Sequence, residues 1–110
     1  MTYQHQQLAS GKWMKMNFFE QMANVGSEVE RAIRWKNQNN QEYSRMAFER
    51  ALELLDLTIA DVKNRKHLKE ILRLREMLSD YFVFDNDYHS EDKGWHNYFY
   101  SLNFAARANR

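Results

Sequence analysis

A chain of 110 residues with no proline and only three glycines contains almost nothing that stops a helix. The apolar spacing points the same way. Phe48, Leu52, Leu55, Ile59 and Val62 recur at four–three intervals, the period of one helical face. Ala47, Ala51, Leu54 and Thr58 widen that seam until it covers nearly half the cylinder. So broad a face needs more than one neighbour, and the helix expected from about Gln41 to Asp61 is therefore central.

The rest of the chain reads in the same way. A helical turn is expected over residues 3–9, ended by Gly11. Asn17 is placed to cap a long helix, with Glu20 at the capping-box position. Phe18, Met22, Val25, Val29, Ala32 and Ile33 make that helix's buried stripe, and the polar run KNQNNQ ends it. After the connection DVKNRK, a third helix from about Arg65 to Phe82 buries Leu68, Ile71, Leu72, Leu74, Leu78 and Phe82. A longer loop follows. Ser90 then caps a last helix that buries Trp95, Phe99, Leu102 and Ala106. Short connections force neighbours to run antiparallel. The expectation is an all-α single domain over residues 1–110, an antiparallel up-and-down four-helix bundle with a short N-terminal helical appendage.

Composition narrows the chemistry. There is no cysteine, so disulfides, thiol catalysis and thiolate metal sites are excluded, which fits a reducing cytoplasm. The polar start MTYQHQQLAS gives no expectation of a secretory leader. No apolar run approaches the roughly 20 residues of a membrane span, so no membrane partner is expected. A net charge of +1 is no general footprint for nucleic acid. The basic run Lys63, Arg65, Lys66, Lys69, Arg73 and Arg75 leaves a phosphate contact open beside its plainer reading as solvated surface. The histidines form no i,i+3 or i,i+4 pair, which argues against zinc.

Two groups of residues carry the functional expectations. Arg75 falls within the apolar arc of the third helix, where a guanidinium must reach an edge or meet a carboxylate. Asp56 and Glu53 on the second helix are the partners nearest in element order, and Glu28 is similarly placed on the first. With Glu49, these acids read as partners of a buried cation, as a metal site or as ordinary surface. The second group is on the last helix. Tyr100 and Phe104 form an i,i+4 pair off the core face, with His96 and Arg107 alongside. Leu57 is likewise isolated in the polar half of its helix. Such rings suit an interface with a second copy or another protein, unless Trp13, Met14 and Met16 of the N-terminal segment cover them.

Two resemblances bear on these groups. The stretch EYSRMAFERALELLDL, through Tyr43, Ala47, Ala51 and Glu53, resembles the opening helices of HEPN-type domains, small prokaryotic bundles that often pair as dimers. No histidine here follows an arginine at the spacing of that family's ribonuclease members, so only fold and pairing are implied. VGSEVERAI followed by ALELLDLTI resembles the all-α MazG-type nucleotide pyrophosphatases, whose helical carboxylates hold magnesium. That resemblance implies Glu28, Glu53 and Asp56 as Mg2+ ligands and Arg75 on phosphate. The first motif departs from the family at Ala23, Asn24 and Ser27. The main expectation is a homodimeric interaction or regulatory module with no cofactor and no catalytic residues of its own. The alternative is a magnesium-dependent nucleotide hydrolase.

Overall fold

A computed structural model describes residues 11–108. They form an all-α bundle of four helices: α1 (Phe18–Asn37), α2 (Gln41–Ala60), α3 (Leu68–Phe82) and α4 (Asp92–Ala108). The turn expected at 3–9 lies outside the described residues. A single 3-10 turn, Trp13–Lys15, precedes α1.

Local chemistry explains the helix starts. Asn17 Oδ1 accepts from Glu20 N at 2.8 Å, and Glu20 Oε1 accepts from Asn17 N at 3.1 Å, the reciprocal capping box. Asn40 Oδ1 accepts from Tyr43 N at 3.0 Å and starts α2. Its neighbour Asn39 takes φ +61°, a left-handed conformation that asparagine tolerates in a tight interhelical turn. The last helix begins at Asp92, with Glu91 O accepting from Trp95 N, so Ser90 is not its cap. The Ser90 backbone is instead held in the loop by both amide atoms of Asn86.

The predicted stripe of α1 is wholly buried. α2 packs on α1 and α3, while α4 packs on α1. Three apolar positions depart from expectation. Val62 is exposed because α2 ends at Ala60 and Asp61 caps a new 3-10 turn, Val62–His67, which rotates Val62 outward. Leu68 and Leu72 are exposed because α3 packs mainly against α2 and turns only a narrow face inward, with Ile71, Leu74 and Leu78.

Two ionic junctions tie the elements together. Lys36, near the negative end of α1, donates to Asp92 Oδ1 at 2.9 Å, and Asn37 donates to Asp92 Oδ2 at 3.0 Å. The Tyr81 hydroxyl donates to the same carboxylate and accepts from Lys36. Burial alone would raise the Asp92 pKa. The bonds from Tyr81, Lys36 and Asn37 outweigh it and hold the carboxyl below its usual value. Asp61 is depressed likewise: burial raises it, and bonds from Lys63 and Gln21 prevail.

A carboxylate depressed in the folded state contributes stability that is fully present above its unfolded value of about 3.9 and is lost as pH falls below it. Urea midpoints should therefore hold from about pH 7 to pH 5 and fall below about pH 4. Asp92→Asn should lessen that fall. An unchanged acid limb in Asp92→Asn would contradict the assignment.

Candidate functional site

The predicted charge cluster is resolved into two separate ion-pair groups. Asp56 Oδ1 accepts from Arg75 Nε at 3.0 Å. The partner is the expected one, but the depth is not: the two side chains are 43% and 39% exposed. Arg75 reaches the bundle margin because the inward face of α3 is narrow. A pair so exposed contributes at most about 1 kcal/mol.

Glu28 lies in the other group. Its Oε1 accepts from Arg31 Nη1 at 3.1 Å, and its Oε2 from Arg50 Nε at 3.2 Å. Glu53 is buried and Glu49 is exposed. Among the described residues no three histidine or carboxylate side chains converge in a way that could hold a metal ion. The structure does not bring Glu28, Glu53 and Asp56 together as the expected Mg2+ set: guanidinium groups engage the first and last of them in separate ion-pair groups. Arg75 donates through Nε to Asp56.

A buried polar clasp that the sequence did not signal closes one end of the bundle. Trp13 is fully buried, and its Nε1 donates to Thr58 Oγ1 at 3.2 Å. Gln21 Nε2 donates to Trp13 O at 2.9 Å and to Asp61 Oδ2 at 2.8 Å. Asn64 Nδ2 donates to Gln21 Oε1 at 2.7 Å and to Thr58 O at 3.0 Å. Lys63 completes the clasp with bonds to Met14 O and to Asp61. Each group satisfies another, which suits a structural role. The clasp also explains Leu57. Chain segments on either side of α2 bond to Thr58 and close over this end of the helix, so Leu57 is 6% exposed and belongs to the core. Leu57 is thereby removed from the candidate interface.

The other interface residues stand where the helical period placed them. Tyr100 is 65% exposed, Phe104 is 61% exposed, and Arg107 is exposed. Trp13 and the residues after it, which were the alternative cover, are bonded at the clasp instead. On the opposite side of α4, Trp95 and Phe99 enter the core. His96 Nδ1 lies 2.5 Å from Glu30 Oε2 on α1, so the edge of the outer face is tied to the neighbouring helix.

Between Lys93 and Arg107 the helix carries no aspartate, glutamate, lysine or arginine, although charged residues make up 28% of the chain. Solvent-facing helical surface is ordinarily charged, and a helix that is apolar on more than one side expects more than one neighbour. Among the described residues α2 has such neighbours in α1 and α3, whereas α4 packs closely on α1 alone.

No helix among the described residues is long and apolar enough to cross a membrane. No family model, no curated protein and no solved structure matches the chain.

Proposed function

We propose that this protein is a small helical interaction module, without catalytic residues of its own, that pairs with a second copy through the outer face of α4. The observation that carries the reading is the mismatch on that helix: apolar residues on both sides, no full charge between Lys93 and Arg107, and α1 as its one closely packed neighbour among the described residues. Depletion of charge around aromatic residues is the composition of an interface centre.

The pairing is a two-fold one. His96, Tyr100, Asn103 and Arg107 follow one another at four- and three-residue steps, with Phe104 four residues after Tyr100 beside them, the seam along which two helices interlock. In an antiparallel pair centred between Tyr100 and Phe104, the Tyr100 ring of one copy lies over the Phe104 ring of the other. Arg107 then reaches the end of the partner helix where His96 holds Glu30, so opposite charges meet at both rims. The resemblance of α2 to HEPN-type domains, which often pair, agrees with this reading.

Phe104→Glu places a charge at the centre of the seam and leaves the core untouched. Light scattering should record a change from twice the 13.4 kDa chain mass to the single mass. The thermal midpoint of the separated chain should change by no more than a few degrees, about what a surface substitution causes. A wild-type chain that scatters as a monomer throughout would end the proposal.

A further inference from the structure

The other flank of α4 borders a feature that neither the fold nor the pairing uses. α3 packs on α2 and α4 on α1, so the hairpin between α3 and α4 stays open. An open cleft of about 940 Å³ lies between them. Leu74, Met77, Trp95 and Tyr98 supply its apolar and aromatic wall. That volume lies near the upper end of the range for pockets that enclose small ligands.

Three independent observations describe what the cleft would hold. The first is a buried polar atom. Trp95 is 5% exposed, and its Nε1 donor has no partner among the described residues. Buried donors left without acceptors are uncommon in folded proteins and costly. Trp95 belongs to the cleft wall, where a ligand's polar edge would meet it. The Tyr98 hydroxyl of the same wall is buried and interacts with the Glu70 carboxylate, and both effects raise its pKa.

The second is charge. Lys66, Lys69 and Arg73 follow one another along the α3 side at three- and four-residue steps, and Lys93 stands on the α4 side. None of the four forms a salt bridge among the described residues. Only Glu70 and Glu91 oppose them in the lining, so the rim is net cationic.

The third is Gly94, inside the first turns of α4. A Cβ built there would meet nothing within 4 Å. Packing does not require a glycine at this position, and a glycine weakens a helix relative to alanine. Gly94 is among the residues that line the cleft, so a side chain larger than glycine there would stand in the open space beside it.

We propose that the α3–α4 cleft is a binding site for a small planar anion, an aromatic ring that bears a phosphate or a carboxylate. The ring lies against Trp95 and Tyr98, with its polar edge on Trp95 Nε1. The anionic group is held by Lys69 and Arg73, with Lys66 and Lys93 within the same positive field. The outer seam of α4 is on another side of the helix, so binding does not require dissociation of the pair.

Calorimetric titration of the full chain with 1-naphthyl phosphate and with 1-naphthoate tests the assignment. At least one probe should bind with one molecule per chain, and the tighter of the two identifies the anion. Arg73→Glu should weaken that binding about tenfold or more. Gly94→Leu, which fills the mouth, should weaken it equally while its thermal midpoint stays level or rises. Phe104→Glu should bind as the wild type does.

Absence of binding by both probes would overturn the proposal. So would wild-type affinity in either Arg73→Glu or a folded Gly94→Leu. Loss of binding in Phe104→Glu would move the ring to the outer seam, and that too would overturn the assignment to the cleft.

Discussion

Gln21→Leu should be among the most damaging single substitutions in this chain, although it replaces a polar side chain with an apolar one of similar size. The side chain is fully buried and makes three bonds at once, to Trp13 O, to Asp61 and from Asn64. Leucine would leave part of a carbonyl, which keeps its bond from Met16 N, part of a carboxylate and part of an amide without partners in the interior. At roughly 1–3 kcal/mol for each abandoned group, the loss should total about 3–5 kcal/mol, a large fraction of a domain's stability. The melting temperature should fall by about 10–20 °C. The Trp13–Lys15 turn should also detach, because it is bonded through the same residues. A urea titration that placed Gln21→Leu within about 1 kcal/mol of wild type would show that the clasp is not a unit.

Gly26→Ala should be the second large effect, and its sign runs against helix propensity. Alanine at an interior helical position ordinarily gains about 1 kcal/mol over glycine. Here the added Cβ would lie 2.8 Å from Phe99 Cδ1 and 2.9 Å from Phe99 Cγ. The ring is buried in the core between α1 and α4 and has no free space to retreat into. Overpacking of this kind costs about 1–3 kcal/mol, so a net loss is expected, and a larger one for Gly26→Leu. Phe99→Leu should recover part of it, and the double-mutant cycle should return a coupling of about 1 kcal/mol or more. Additive effects would mean that α1 and α4 do not approach as closely as described. The contact also matters for pairing, since the approach of α4 to α1 sets where the outer seam stands.

The fold was legible where its signals were local. The capping box at Asn17 and Glu20 lies within four consecutive residues, and the stripe from Phe18 to Ile33 needs only the helical period. Tyr100 and Phe104 were legible for the same reason. Their exclusion from the core follows from the angle they subtend to Trp95 and Phe99 on one helix.

What was not legible depended on where distant segments came to rest. Leu57 reads as a polar-face residue by period alone, and it is buried because both the N-terminal turn and the Val62–His67 turn bond to Thr58 beside it. Gln21, Asn64 and Asp61 look like ordinary polar residues, since nothing in a linear pattern says that three such side chains will meet. Arg75 was placed too deep because the inward face of α3 is narrower than its leucines suggest: Leu68 and Leu72 are both exposed. The grouping of the acids was illegible for a related reason. Glu53 and Asp56 share helical spacing on α2 and Glu28 lies on α1, but the arginines that engage Glu28 and Asp56 come from α1, α2 and α3. The cleft was least visible of all, because an opening between α3 and α4 is a property of how helices splay and no single segment encodes it.

Pairing through α4 requires that its outer seam face a second copy. The chain has no cysteine, so a single one can report on that face without interference. Asn103→Cys lies on the seam near its two-fold centre, and Glu49→Cys lies on exposed α2 surface as a control. Under mild oxidation at low protein concentration, Asn103→Cys should form a covalent dimer rapidly and Glu49→Cys slowly. Equal rates for the two variants would contradict pairing through α4.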